Sequence, residues 1–325
     1  MDIAVIVPTY NRAHLIGETL DSILAQSYAP AEVVVADDGS TDDTESVVAR
    51  YAPRVRYMRI QNSGPCRARN AGVAASTAPW LAFCDSDDLW QPDRLRKQVE
   101  LCSAAPDVHY CFTNFRVVTG TAWSDETKFD SLPANYWGQP LREIGPGMLV
   151  LDNDMFLPLL AHQPVFPSTL LMKRSFFEAA GGWNENLGRN PSEDIEFLFR
   201  CIVRPPLGIV TEPLVGIRKH EGNWTRASYI AAVGLIDILE HVQRTHPAAR
   251  QHAAPLHRRI QELSARAARG AFAMGDLERM RQLLAAVPFW QRSWKLHFRA
   301  VLSHVPRLSA LFMTGSPKPA GPGRV

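Results

Sequence analysis

Three carboxylates crowd into Asp85-Ser86-Asp87-Asp88, directly after the apolar run Trp80-Leu81-Ala82-Phe83. An apolar run that ends in acids is what a buried strand looks like where it meets the polar edge of an open α/β sheet, and ligands bind at that edge. Asp85 and Asp87 stand two apart, so extended backbone projects both to one side. There they could share a divalent cation, or divide a cation and a sugar hydroxyl between them. Without a cation the acids repel one another, so the same stretch also reads as an acidic turn leading into a helix at Gln91-Pro92.

The elements around that cluster decide what it faces. Residues 3–7 (Ile-Ala-Val-Ile-Val) form a β-branched run suited to a strand buried on both faces, as in a parallel sheet, and the run stops at Pro8. Apolar residues at Leu15, Ile16, Leu20, Ile23 and Leu24 then follow helical spacing. A second strand is predicted over 32–36 and ends at Asp37-Asp38-Gly39-Ser40, with Ser40, Thr41 or Asp42 capping a helix that carries Val47 and Val48. A third strand covers 56–60, a helix runs from Gly64-Pro65 through Ala75, and Trp80 to Phe83 is the fourth strand. Repeated strand-then-helix units predict a doubly wound, mostly parallel α/β sheet with right-handed crossovers. All four strand ends then fall on one rim, the usual place for a nucleotide.

A helix carrying Leu95 and Val99 leads to a strand over about 109–118. Residues 119–165 lose periodicity and read as a long functional excursion rather than a linker. A short strand is expected at Thr169 to Met172, a helix through Phe176-Phe177, a break at Gly181-Gly182, a helix from Ser192, and a strand pair between Gly208 and Ile217. From Tyr229 the pattern is helical, and the Pro- and Gly-rich end reads as disordered. The domain boundaries expected are 1–222, divided at 118 into a nucleotide-binding half and an acceptor half, then a basic helical region over 223–312 and a disordered tail over 313–325.

Charge is unevenly spread. The formal net charge is +2, yet from Arg250 onward thirteen Lys and Arg face three Asp and Glu, a net of +10 that leaves −8 for the rest. A basic tail on an acidic body suggests an anionic surface, either a membrane face or an acidic partner. Nucleic acid is not expected, since no zinc, RRM or KH signature is present. Trp290, Trp294, Phe298 and Val301 recur three or four apart with Arg292, Lys295 and Arg299 between them. That pattern fits an interfacial helix on anionic lipid, a packed helix of a small bundle, or a dimer contact. The five cysteines (66, 84, 102, 111, 201) lack Cys-x-x-Cys spacing and read as reduced thiols of a cytosolic protein. The N-terminal residues lack signal-peptide character, and no segment approaches the roughly 20 apolar residues of a membrane span. The expected location is the cytoplasm, with peripheral contact at the cytoplasmic face of the plasma membrane through the basic helices.

The order of motifs resembles the family-2 glycosyltransferases, inverting enzymes of the GT-A fold. The motifs are Val7-Pro8-Thr9-Tyr10-Asn11-Arg12, Asp37-Asp38-Gly39-Ser40, Gly64 with Ala68-Arg69-Asn70-Ala71-Gly72, Asp85-Ser86-Asp87-Asp88, and Gly181-Gly182-Trp183 with Glu193-Asp194. The resemblance covers roughly residues 3 to 220. It implies a nucleoside diphosphate sugar donor, UDP-linked by expectation, and a glycan or lipid-linked saccharide as acceptor. Pro8, Thr9 and Tyr10 would lie along base and ribose, with Arg12 reaching toward phosphate. Asp38 can accept the imide N–H of uracil, although Asp-Asp-Gly-Ser is also a good turn-and-cap sequence. Gly64 would free backbone for close approach, and Arg69 and Asn70 would sit under the nucleotide, though an arginine there could equally be a surface residue.

By the same resemblance Asp85 touches the ribose, Ser86 lies with the donor, and Asp87 coordinates Mn²⁺ or Mg²⁺, which offsets charge on the departing diphosphate. Asp88 is spare and is expected to cap the following helix. His220 matches a place where some relatives bring a third metal ligand or a phosphate contact, and a lone histidine is otherwise structural. Inversion needs a carboxylate opposite the leaving group, and Asp194, preceded by Glu193 at a helix N-terminus, is the candidate base; a plain cap from Ser192 fits the same residues. Trp183 would form part of the acceptor wall, or else belong to the core. Two rivals stand against this reading. A phosphotransferase or phosphatase with an aspartate nucleophile would place Asp-x-Asp after the first strand, not the fourth. A nonenzymatic scaffold would bind a partner through the basic helices.

Overall fold

The computed structural model describes residues 1–138, 141–202, 204, 206–220 and 228–304. The expected boundary at 222 and the expected disordered tail over 313–325 lie outside the described residues. The chain forms two compact units, Met1–Asn223 and Trp224–Val325.

The first unit is built on β1 (Ile3–Thr9), whose seven residues are all buried because its β-branched side chains are covered on both faces. After α1 (Ile16–Leu24) comes β2 (Glu32–Asp37), which pairs with β1 in parallel from Ala4↔Glu32 to Thr9↔Asp37. After α2 (Thr44–Ala49), β3 (Arg56–Arg59) extends the parallel sheet beyond β2. The helix α3 (Pro65–Ala74) then returns the chain to β4 (Trp80–Phe83), parallel on the other side of β1. Gly72 permits that crossover, since a Cβ there would lie 2.6 Å from Ile6 Cγ2. Strand ends at Thr9, Asp37, Arg59 and Phe83 therefore share one rim, as the repeated units predict.

The second half of the unit contains β5 (Leu89–Trp90), α4 (Arg94–Ala104), β6 (Tyr110–Thr119), β7 (Ala122–Thr127), β8 (Leu141–Gly145), β9 (Met148–Leu151) and α5 (Phe156–Ala161). It continues through β10 (Leu170–Lys173), α6 (Arg174–Ala179), α7 (Glu193–Ile202) and β11 (Leu207–Lys219). The main sheet path is β3-β2-β1-β4-β10-β6-β11-β9-β8. β10 runs antiparallel to both β4 and β6, while β6 and β11 are parallel. This insertion joins the parallel half to a mixed half and brings the residues before β10 and at the end of β11 beside the first rim.

Two expectations change here. The stretch 119–165 is not irregular throughout: β7, β8 and β9 are strands, and the first two have no buried residue, so they lack the apolar alternation that marks a strand in sequence. The expected strand pair between Gly208 and Ile217 is one strand, β11, whose register against β6 shifts on either side of Pro213. Proline has no N–H to give to a ladder, so the strand bulges there and continues. All five cysteines are free and buried.

The second unit consists of α8 (Ser228–Thr245), α9 (Ala253–Ala273), α10 (Leu277–Ala285) and α11 (Trp294–Leu302). α9 is its centre, burying Leu256, Ile260, Leu263, Ala267 and Ala271 at helical spacing. Gly270 lets Tyr229 of α8 approach, because a Cβ there would lie 2.9 Å from Tyr229 Cβ. In α11 only Leu296 and Leu302 are buried. Among the described residues no helix is long and apolar enough to cross a membrane.

Candidate active site

The turns on the first rim are held by their own acids. Asp37 Oδ1 accepts the Ser40 N–H at 2.7 Å and its Oδ2 accepts the Tyr57 hydroxyl at 2.7 Å. Burial, then Asp37, pushes the Tyr57 hydroxyl well above its usual range, so it remains a donor. Asp38 accepts the N–H groups of Ser63 and Gly64, at 2.6 and 2.9 Å, one on each oxygen. Asn11 takes up φ 52°, a left-handed conformation that asparagine tolerates. There its N–H donates to Ser40 Oγ at 2.8 Å and its Oδ1 accepts the Thr41 N–H at 2.7 Å, joining the turns after β1 and β2. The carboxylate of Asp38, the residue expected to read a uracil, holds the Ser63-Gly64 turn.

A loop from the second half closes on these turns. Gly64 has φ 99°, and a Cβ there would come 2.6 Å from the Gly188 carbonyl oxygen, so glycine is needed for both conformation and approach. The Arg189 guanidinium lies 5.4 Å from the centre of the half-buried Tyr10 ring, and its Nη2 is 3.8 Å from Asp38 Oδ2. Pro8 and Thr9 are buried at the end of β1, and Thr9 Oγ1 is a buried hydroxyl with no hydrogen-bond partner among the described residues.

The acidic cluster after β4 divides into three tasks. Asp85 Oδ1 accepts Arg69 Nη2–H at 2.8 Å, and its backbone N–H donates to Ser168 Oγ at 2.9 Å. Ser86 is buried, and its carbonyl accepts the Thr19 hydroxyl at 3.1 Å. Asp87 Oδ2 stands 3.0 Å from His220 Nε2 and 3.5 Å from Arg12 Nε. Asp87, His220 and Arg12, far apart in sequence, thus share one corner. Among the described residues no group of three or more His, Cys, Asp and Glu is placed to hold a metal ion. Asp88 does not cap a helix. It is buried, its Oδ1 accepts the Arg218 N–H at 3.0 Å and its Oδ2 meets Ser168 Oγ, tying β11 to the segment before β10. Burial, then the charges of Asp87 and Asp85, raises its pKa far above the usual carboxylate range.

Arg69 links the two halves. Its Nη1 donates to Glu193 Oε1 at 2.9 Å while Nη2 holds Asp85, and the guanidinium stacks 4.6 Å above the centre of the Trp183 ring. Burial opposes the charge of Arg69, but Asp85 and Glu193 outweigh it and keep the group protonated. Asn70 donates Nδ2–H to the Trp183 carbonyl and to Glu185 Oε1, both at 2.8 Å, and accepts the Trp183 N–H at 3.0 Å. Arg69 and Asn70, expected to lie under a nucleotide, have polar groups that clamp α3 to residues 183–193. Trp183 is likewise no open wall. It is 2% exposed, stacked on Phe197 at 4.1 Å and edge-on to Phe83 at 5.4 Å, and its enclosed ring supports Arg69.

Beside that clamp lies Asp194, at the start of α7. Its Oδ2 accepts Gln163 Nε2–H at 3.0 Å and its Oδ1 accepts the Ile195 N–H at 2.9 Å. Although the side chain keeps some contact with solvent, crowding by protein atoms, then the neighbouring Glu193 charge, pushes its pKa up to about 7. Gln163, Ser168, Arg189 and Arg218 were not singled out in the sequence. A local signal exists only for Asn11, a polar turn residue directly after a strand.

Comparison with known proteins follows this geometry. Residues 4–157 match the family model described as Glycosyl transferase family 2. The succinoglycan biosynthesis protein ExoO of Rhizobium meliloti is 45% identical over 106 residues, covering 32% of this chain and 30% of that protein. An uncharacterized glycosyltransferase of Rickettsia felis is 37% identical over 223 residues, covering 67% of this chain and 34% of that protein. The chain thus spans about a third of the length of these curated relatives. Among solved structures, S. aureus TarS 1-349 in complex with UDP-GlcNAc is similar with TM-score 0.63 and 18% identity, covering 96% of this chain and 89% of that one. The mannosyltransferase PcManGT from Pyrobaculum calidifontis, in complex with GDP-Man and Mn²⁺, gives TM-score 0.54 and 22% identity, covering 95% and 86%. These likenesses establish the fold as GT-A type. Through its first unit, with the motif-bearing rim of β1, β2 and β4, the chain belongs to glycosyl transferase family 2.

Proposed function

We propose that the chain transfers one sugar, with inversion, from a nucleoside diphosphate sugar to a hydroxyl of a surface or envelope glycan. The observation that carries this reading is the Arg69 bridge, which ties Asp85 of the acidic cluster to Glu193, the residue before the candidate base, at 2.8 and 2.9 Å. A donor site and a base are thereby held in one assembly. UDP is the proposed nucleotide and a hexose or N-acetylhexosamine the proposed sugar, supported by the likeness to TarS solved with UDP-GlcNAc. An envelope glycan as acceptor is supported by the likeness to a succinoglycan biosynthesis protein.

In this reading Asp194 takes the proton from the acceptor hydroxyl as its oxygen attacks the anomeric carbon and the bond to the diphosphate breaks. A carboxylate whose pKa is pushed up to about 7 is a stronger base than an ordinary one and is still ionised in good part near neutrality. Gln163 orients it. Asp87 and His220 would hold a divalent cation, with Arg12 beside them facing the same negative charge. Such a cation offsets charge building on the leaving diphosphate. A mixed oxygen and imidazole set suits Mn²⁺ better than Mg²⁺, which prefers oxygen throughout.

The test is release of nucleotide from a panel of UDP- and GDP-sugars with Mn²⁺ or Mg²⁺, comparing the unaltered chain with Asp87→Ala and Asp194→Asn. Turnover by the unaltered chain, lost in both variants, is expected. Turnover that survives Asp194→Asn would remove the base assignment, and turnover indifferent to chelator would remove the cation.

A further inference from the structure

We propose that the aromatic face formed by residues 289–291 and α11 docks the chain on an anionic lipid surface. The proposal goes beyond the transfer reaction and stands whichever donor is used.

The face is exposed to a degree unusual for its residues. Trp290 is 83% exposed and Trp294 72%, with Phe289, Phe298 and Val301 exposed beside them. Trp80, Trp90 and Trp183, by contrast, are buried in the first unit. Trp294, Phe298 and Val301 fall at positions i, i+4 and i+7, so α11 presents them as one stripe while Leu296 and Leu302 hold it to its unit. Leu296 and Leu302 are the buried residues of α11, and Trp294 is not among those that pack it.

The exposed position is built into the chain. Arg292 donates from Nε to the Val287 carbonyl at 3.0 Å and from Nη2 to the Leu284 carbonyl at 2.7 Å, fixing residues 289–291 against the end of α10. Ser293 Oγ caps α11 by accepting the Leu296 N–H at 3.3 Å. Tryptophan rings held outward next to a helix are what a water–lipid interface accommodates, since each ring has an apolar body and a polar edge.

Charge selects the kind of surface. Between Pro288 and His304 there is no Asp or Glu; Arg292 is held by the Val287 and Leu284 carbonyls and Arg299 lies over the Phe272 ring, which leaves Lys295 as the exposed Lys or Arg of this stretch. Lys295 Nζ lies 5.7 Å from the Trp294 ring centre, so a cation accompanies the exposed ring. From Arg250 to the C-terminus the net charge is +10. A basic, aromatic, nine-residue helix lies along a membrane surface and cannot span it, and its partner is an anionic headgroup layer rather than a zwitterionic one.

The test uses the full chain with vesicles of phosphatidylcholine alone and of phosphatidylcholine carrying about 30% phosphatidylglycerol, read by co-sedimentation and by tryptophan emission. Binding to the anionic vesicles, a blue shift in emission, and weakening by added salt are expected. A Trp290→Ser/Trp294→Ser double variant is expected to lower vesicle affinity by about tenfold or more while leaving the melting temperature unchanged, and Lys295→Glu to lower it by a smaller factor. Failure of the unaltered chain to bind anionic vesicles, or equal binding by the double variant, overturns the proposal. A concentration-dependent dimer that the double variant abolishes, without vesicle binding, assigns the face to a second copy and overturns it too.

Discussion

The two flanks of the candidate site are held together by different kinds of bond. On the flank of β1, β2 and β3, acids and amides hold backbone N–H groups close in sequence or on adjoining turns: Asp37 on Ser40, Asp38 on Ser63 and Gly64, Asn11 on Thr41. On the flank of α7, side chains meet partners far away in the chain: Arg69 on Glu193, Gln163 on Asp194, Ser168 on Asp88. The first flank is a set of turns joined across the neighbouring strands β1, β2 and β3. The second exists only once the sheet is assembled, and its stability is shared among few, buried, charged contacts.

The sharpest way to break that contrast is Arg69→Ala. Removing this cation leaves Asp85 and Glu193 facing each other without compensation, which should cost about 3–5 kcal/mol of folding free energy by denaturant titration. Arg69→Lys should recover only part, since one ammonium cannot fork between two carboxylates and stack on Trp183 as a guanidinium does. A loss below about 1 kcal/mol would mean that solvent reaches the bridge and that the second flank is held by other means.

Asp194→Asn should reduce transfer by about 10²- to 10⁴-fold, the usual worth of a general base. The same change has an opposite effect on folding. In the folded chain Asp194 keeps its proton up to about pH 7, whereas unfolded it releases the proton in the ordinary carboxylate range. The folded state therefore binds the extra proton between those values, and stability falls as pH rises through that window. The asparagine variant lacks this fall and should melt higher than the parent at pH 8, with the difference closing at pH 5. A variant that loses activity and stability together at pH 8 would mark Asp194 as a structural cap.

Asp38→Asn tests the other flank. An amide NH2, a donor, takes the place of one of the two oxygens that accept the Ser63 and Gly64 N–H groups, so about 1–3 kcal/mol should be lost with the choice of nucleotide unchanged. Unchanged stability with a switch between UDP and GDP donors would instead restore Asp38 as the reader of the base.

How much of this was legible in the sequence follows the same division. β1, β2 and β4 are visible as apolar runs, and their rim follows from the repeated strand-then-helix order. Asp37 and Asp38 are visible as turn residues because their partners lie on nearby turns. Arg69 is visible as part of a motif, but its contact with Glu193 is not, since nothing local in the sequence points to a partner so distant in the chain. Gln163 and Ser168 were missed for the same reason: both lie in or beside a stretch whose strands β7 and β8 are exposed and carry no alternation. Trp183 shows the limit from the other side, because an aromatic next to two glycines fits a sugar platform and a core equally well until its neighbours Phe83 and Phe197 are in place.

The smallest expected effect distinguishes a positioning role on the second flank from plain packing. Gln163 donates to Asp194 Oδ2 at 3.0 Å and so favours the ionised carboxylate. In Gln163→Leu that donor is gone, the Asp194 pKa rises further above about 7, and the acid limb of the pH–rate profile moves to higher pH. At pH 6.5 the variant should be slower than the parent by less than about tenfold, and by pH 9, where Asp194 is ionised in both, the two rates should converge. A purely structural glutamine would lower the rate by the same factor at every pH. Gln163→Glu should shift the limb further still, because a second carboxylate at that position opposes the charge on Asp194 directly.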